Sequence, residues 1–210
     1  MSKIAEVAAA VENGKLKLIE GLVNEALDSG CDPLAILNEG MIGAMGIVGA
    51  KFQKSEIFVP EMLVAAKTMK KGVEILKPRL ASGATTKLGK CIIGTVHGDL
   101  HDIGKNLVSL MIESAGFEVI DLGVDVLIDT FIAKIKENPD TKIVALSALL
   151  TTTMPSLGDT AKAIKASGLT GFKLIVGGAP VTQDFAAEIG ADGYADDAAG
   201  AATLAAKLAG

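Results

Sequence analysis

The chain has 210 residues, half of them hydrophobic, with aromatics at 3% and no tryptophan, so it has room for two modest domains whose cores must be aliphatic. A net charge of -5 without any block of lysine or arginine leaves no electrostatic footprint for nucleic acid. The N-terminal stretch MSKIAEVAAAVENGK carries acids and no signal-type apolar segment, and no later apolar run approaches the roughly 18 to 20 residues of a bilayer span, so a soluble, cytoplasmic protein with no membrane partner is expected.

Residues 1–80 read as helices. Leu16, Ile19, Leu22, Val23, Ala26 and Leu27 recur at three- and four-residue spacing and lay one apolar stripe along a helix that Gly30 can end. Asp32 followed by Pro33 predicts an N-cap and first-turn proline for a helix through Ile36, Leu37, Met41 and Met45. After an irregular stretch from Gln53 to Val59, Pro60 opens another helix whose stripe includes Leu63, Ala66, Lys67, Val73 and Leu76 and which stops near Pro78. Three or four such helices make a small bundle. Residues 81–90, within the run RLASGATTKLGK, are rich in Ser, Thr, Gly and Lys and read as a linker. Cys31 and Cys91 lie far apart and form no C-x-x-C pair, which predicts small, reduced, buried residues.

Over residues 91–210 the pattern changes to short apolar runs alternating with helix-length segments: 91–96, 118–122, 142–147, 173–177 and a weak 193–195. Strands separated by crossover helices predict an α/β domain with a five-stranded, doubly wound parallel sheet of flavodoxin-like (Rossmann-type) order 2-1-3-4-5. Ligands then bind at the carboxyl ends of the strands, in the loops after strands 1, 3 and 4.

The first of these loops, Thr95 to Asn106, holds both histidines of the chain, His97 and His101. Neutral imidazole is a good metal ligand near pH 7, and Asp99, two residues before His101, can accept the other ring N–H and fix the tautomer. His97 reads either as a residue that supports the ligand from outside or as a plain loop residue. Gly104 permits either a tight turn into the next helix or close approach of a large flat ligand. Strand 3 runs into Ser147-Ala148-Leu149-Leu150-Thr151-Thr152-Thr153, richer in hydroxyls than one helix cap requires, and strand 4 ends in Gly177-Gly178, which removes side chains and opens a slot beside the sheet.

Asp99-x-His101-x-x-Gly104, then Ser147-x-Leu149, then Gly177-Gly178, in this order, resembles the signature of cobalamin-binding domains. The chain is similar to the corrinoid proteins of methylamine, methanol, betaine and methoxyaromatic methyltransferase systems and to the cobalamin module of methionine synthase. The likeness extends to the helical half, where Gly49-Ala50-Lys51-Phe52 and Phe58-Val59-Pro60-Glu61-Met62 resemble that family's cap. It implies a cobalamin or related corrinoid, with Gly98, Asp99, His101, Asp102, Ile103 and Gly104 around it and His101 replacing dimethylbenzimidazole as lower cobalt ligand. Ser147, Leu149 and Thr151 would contact the corrin or its nucleotide tail, and Gly177 and Gly178 would floor the tail's slot. Asp99 and Thr153 would form a proton relay to His101, Thr153 standing where methionine synthase has serine. Phe52 and Val59 would cover the methyl-bearing face.

The resemblance further implies a methyl carrier of anaerobic one-carbon metabolism, cycling between cob(I)alamin and methylcob(III)alamin. A substrate:corrinoid methyltransferase would load it, a methylcorrinoid:acceptor methyltransferase acting on tetrahydrofolate or a thiol such as coenzyme M would unload it, and a reductive activase would rescue it. No general acid, nucleophile or substrate pocket independent of the cofactor is visible. Other B12 modules, a mutase subunit or a B12-based sensor, share these loops. A signalling receiver would need an aspartate where Ser147 stands, and a zinc hydrolase would need more histidine than the chain has.

Overall fold

The computed structural model describes residues 2–79 and 88–210, so residues 81–87 of the expected linker lie outside the described residues, and Lys90 already opens the first strand. The described residues fall into two compact units, one of helical residues 2–79 with Ser114–Gly116, the other of residues 88–113 with Phe117–Gly210.

The helical unit holds α1 (Lys3–Glu12), α2 (Ile19–Asp28), a continuous helix made of α3 (Pro33–Ala35), a π-helical stretch Ile36–Ile42 and α4 (Gly43–Gln53), and α5 (Val59–Leu76). The Asp32 carboxylate accepts Ala35 N (3.2 Å) with Pro33 in the first turn, as the Asp-Pro pair predicts. Gly30, at φ 80, lets Cys31 N return to Ala26 O (3.0 Å), closing α2. Two stripes differ from expectation. Leu16 precedes α2 in a turn and is exposed, while Ile19, Val23 and Ala26 are buried. In α5 the buried line is Met62, Ala65, Ala66, Met69 and Leu76, whereas Lys67 faces solvent and Leu63 and Val73 are half-buried.

The continuous helix Pro33–Gln53, 21 residues with a window of mean hydropathy 1.4, also corrects the reading that no apolar run reaches spanning length. The core helix of a water-soluble bundle passes the same test, and Ile36, Leu37, Met41, Met45 and Val48 of this one are buried within the unit.

The second unit carries β1 (Lys90–Thr95), α6 (Ile103–Ser114), β2 (Glu118–Asp121), α7 (Ile128–Glu137), β3 (Thr141–Ser147), α8 (Met154–Ala166), β4 (Lys173–Gly177), α9 (Gln183–Glu188), β5 (Gly193–Tyr194) and α10 (Ala198–Ala209). All pairs are parallel in the order β2-β1-β3-β4-β5, the predicted flavodoxin-like arrangement. Alternate strand residues serve opposite faces. Ile92, Val144, Leu146, Leu174 and Val176 pack with Phe131, Ile135, Leu157, Ala161 and Ile164, while Cys91, Ile93, Ile143, Ala145 and Ile175 are buried on the other face.

Burial pushes the Cys91 thiol up to about 12, which keeps it protonated and inert. Cys31, expected to be buried, is only half-buried.

Register places Thr95, Ser147 and Gly177 in one row at the carboxyl ends of the three central strands. The motifs that are far apart in sequence thus open onto one edge.

Candidate functional site

From that edge the loop between β1 and α6 turns at Gly98, whose φ of 85 suits glycine. The turn drives Asp99 back under the sheet edge, where it is fully buried. Its Oδ1 accepts His101 N (3.0 Å) and lies 2.6 Å from His101 Nδ1. Oδ2 accepts Leu149 N (2.7 Å), Leu150 N (3.4 Å) and Thr153 Oγ1 (2.7 Å). Burial alone would raise the Asp99 carboxyl; the hydrogen bonds from Leu149 N, His101 N, Thr153 and the His101 ring outweigh it and hold it well below the ordinary carboxylate value.

An ionised carboxylate only accepts, so His101 Nδ1 carries the ring proton and Nε2 presents a bare lone pair. The His101 side chain is 48% exposed and its Nε2 has no hydrogen-bond partner among the described residues, so that lone pair is available to a metal. Thr95, buried, donates from Oγ1 to His101 O (2.9 Å) and fixes the backbone beneath the ring. Sequence reading missed this threonine, although it begins the same loop.

Thr153 sits in a 3-10 turn, Thr151–Thr153, with Oγ1 also 2.9 Å from Leu150 O. One hydroxyl proton cannot serve both acceptors, and the charged carboxylate is the stronger. The β-branch that distinguishes threonine from serine is accommodated: Cγ2 lies 3.8 Å from where a Cβ on Gly98 would stand.

Ser147 ends β3 half-buried, with its carbonyl accepting Val96 N (3.0 Å), and Thr151 and Leu149 are exposed at the rim. Asp102 caps the entry to α6, accepting Asn106 N on its carbonyl (2.7 Å) and Asn106 Nδ2 on Oδ2 (3.1 Å).

The glycines at this edge differ in what requires them. Gly104 lies inside the first turn of α6 with ordinary helical backbone, so no tight turn demands it; a Cβ there would meet nothing within 4 Å. At Gly178, φ is 130 and a Cβ would come 1.8 Å from Ala148 O, while one on Gly177 would come 2.9 Å from Ala195 O. These glycines let the chain ends after β3, β4 and β5 close on each other, a requirement of backbone packing in its own right.

Exposed apolar groups ring the edge: Leu100 is 72% and Ile103 85% exposed, beside the open space over Gly104. A first-turn glycine over open space, flanked by bare aliphatic side chains and a carboxylate-oriented imidazole, fits a broad, flat, metal-centred ligand. Among the described residues no group of three or more His, Cys, Asp or Glu is placed to hold a bare metal ion. Phe52 and Val59 belong to the helical unit, Phe52 half-buried in α4 and Val59 exposed at the start of α5.

Residues 89–203 match the B12 binding domain family, and residues 4–77 match a second family of the same description. The chain belongs to the B12-binding family. A trimethylamine corrinoid protein of Methanosarcina acetivorans is 45% identical over 93% of this chain and 91% of its own length. A dimethylamine corrinoid protein of the same organism is 43% identical over 98% and 96%. The solved methanol:cobalamin methyltransferase complex of Methanosarcina barkeri contains a chain that is 30% identical with a TM-score of 0.83, covering 99% of this B12-binding chain and 80% of that one.

Proposed function

We propose that this chain is a corrinoid methyl carrier, loaded by a substrate-specific methyltransferase and unloaded by a second methyltransferase that acts on tetrahydrofolate or a thiol such as coenzyme M. The observation that carries the reading is the Asp99–His101 pair, an exposed imidazole whose Nε2 lone pair is fixed outward by a buried, fully hydrogen-bonded carboxylate. Relatives at 45% and 43% identity carry the names of trimethylamine and dimethylamine corrinoid proteins, which makes a methylamine the first donor to test. The match of residues 4–77 to a B12 binding domain favours a carrier with a helical cap over a mutase subunit.

When bound, the corrinoid supplies a cobalt centre that alternately accepts and yields a methyl group. The protein's part is positional. His101 would hold the cobalt through Nε2, Asp99 would keep the proton on Nδ1, and Thr153 with Leu149 N would keep Asp99 ionised. Asp99 and Thr153 would thereby form the relay that sets how readily the His101 ring gains or loses that proton. Gly98, Asp102, Ile103 and Gly104 would contact the corrin, Ser147, Leu149 and Thr151 the corrin or its nucleotide tail, and Gly177 and Gly178 the tail.

The division of labour follows the chain: the helical N-terminal part as cap, with Phe52 and Val59 as its candidates for shielding the methyl group, and the sheet unit, which begins at Leu88, as cofactor domain. A reductive activase restores over-oxidised protein, and neither nucleic acid nor membrane takes part, consistent with a cytoplasmic carrier.

The test is reconstitution of the full chain with cobalamin under anaerobic conditions. It should bind about one corrinoid per chain and, with a methylamine:corrinoid methyltransferase, accept a methyl group from its amine, seen as the change from the cobalt(I) to the methylated spectrum. A chain that binds no corrinoid, or binds it and is methylated by no such enzyme, is not a carrier of this kind.

A further inference from the structure

The turn that presents Asp99 and His101 is also held from a second side, by the loop after β2. Leu122 N donates to Ile93 O (2.8 Å), Thr95 N to Gly123 O (3.0 Å) and Val126 N to Thr95 O (3.0 Å), so this loop runs as a ladder along the end of β1. Its start is anchored by Asp121, whose Oδ1 accepts Gly123 N (2.8 Å) and whose Oδ2 accepts the Nζ of the buried Lys105 (2.5 Å). At its centre Asp125 sends its backbone N–H to Asp99 O (3.0 Å), while its Oδ1 accepts Gly98 N (2.8 Å) and lies 2.7 Å from His97 Nδ1. One residue thus brackets the Gly98–Asp99 step through both its backbone and its carboxylate.

Asp125 does this at φ 54, in the left-handed region that L-residues seldom enter and that glycine would occupy without strain. Aspartate is among the few L-residues that enter this region, and here its carboxylate is engaged by Gly98 N and His97, which points to a task for it. Hydrogen bonds from Gly98 N and His97 also hold the Asp125 carboxyl below its ordinary value, in keeping with an ionised acceptor.

We propose that Asp125 is a positioning residue for the cobalt ligand: by fixing Gly98 and His97 it sets the turn from which Asp99 aims His101. This rests on His101 being the ligand, as proposed above. His97, on this account, is a strut of the loop, packing its ring against the Asp125 carboxylate, and takes no part in ligation.

The test compares D125G and D125N in the full chain loaded with cob(II)alamin, reading histidine nitrogen coupling in the paramagnetic spectrum, corrinoid affinity and the unfolding temperature of the apoprotein. Asparagine tolerates the left-handed region and keeps an oxygen for Gly98 N, whereas glycine relieves the strain and removes the acceptor. D125G should unfold at or above the wild-type temperature yet lose histidine-coupled signal and bind corrinoid about three- to tenfold more weakly, less than the roughly 10–100-fold typical of a ligand's direct partner. D125N should keep the wild-type signal. A D125G protein with wild-type coupling and affinity overturns the inference, as does one whose losses merely follow a fall in unfolding temperature. If wild type itself shows no histidine coupling, and H101A loads equally well, the proposed function of His101 falls as well; normal wild-type coupling beside an unaffected D125G removes this inference alone.

Discussion

The two histidines of the loop after β1 each pair with an aspartate at nearly equal length, 2.6 Å for His101–Asp99 and 2.7 Å for His97 with Asp125 of the loop after β2, and the pairs differ in what stands behind the carboxylate. Asp99 is fully buried and takes five donors, three of them from the loop and turn after β3. Asp125 is an exposed rim residue whose carboxylate, among the described residues, accepts only Gly98 N besides its histidine. The distance between imidazole and carboxylate is therefore a poor guide to function. A buried carboxylate with every lone pair engaged cannot rotate or take up a proton easily, so it transmits a fixed orientation to the ring; a solvated one steadies backbone.

The largest effect that would break this comparison is expected from D99N. Asparagine presents an amide in a site built for an acceptor, so Leu149 N, Thr153 and the His101 ring cannot all keep their partners. Corrinoid affinity should fall about 10–100-fold, the usual cost of removing a metal ligand's outer partner. The same variant tests the acid limb. Because the folded Asp99 carboxyl lies below its unfolded value of about 3.9, its contribution to stability is full above that value and is lost as pH falls toward the folded one. Unfolding of the wild-type apoprotein should thus steepen below about pH 4, and D99N should be flatter there. Equal acid limbs would mean that Asp99 is not held ionised by the fold.

A smaller effect is expected from T153V, which keeps the β-branched shape beside Gly98 and removes one of the five donors. Stability should fall by about 1.5 to 3 kcal/mol, the range for a hydrogen bond to a charged group, and the His101 ligand should survive with a modest change in the pH dependence of cobalt reduction. A T153V protein whose reduction midpoint follows pH as in wild type would remove Thr153 from the proton relay and leave it as a structural donor.

The sheet was legible because parallel strands buried on both faces read as apolar runs, and Cys91 to Ile93 and Ile143 to Leu146 are such runs. The Asp99–His101 pairing was legible too, since a two-residue spacing lets one carboxylate reach both the backbone and the ring of the same histidine. The helical half was read less well. The apolar spacing of α2 continues through Leu16 into a turn, and the aliphatic stem of Lys67 mimics a stripe position, so periodicity alone could not tell burial from solvent. Asp125 was invisible because nothing in Gly123-Val124-Asp125-Val126 encodes a left-handed aspartate, and the loop after an edge strand is not where ligands are expected in this fold. The steric need for Gly177 and Gly178 was not legible, since the backbone atoms that require their missing side chains, Ala148 O and Ala195 O, come from segments distant in sequence.

The central claim, that Asp99 aims His101 Nε2 at cobalt, is tested most directly by the paramagnetic spectrum of the cobalt(II) protein with its histidines labelled with nitrogen-15. The account predicts superhyperfine splitting that changes from the triplet of nitrogen-14 to the doublet of nitrogen-15 on labelling, persists in H97A and vanishes in H101A. A splitting that ignores the label, as from a retained dimethylbenzimidazole, would contradict it.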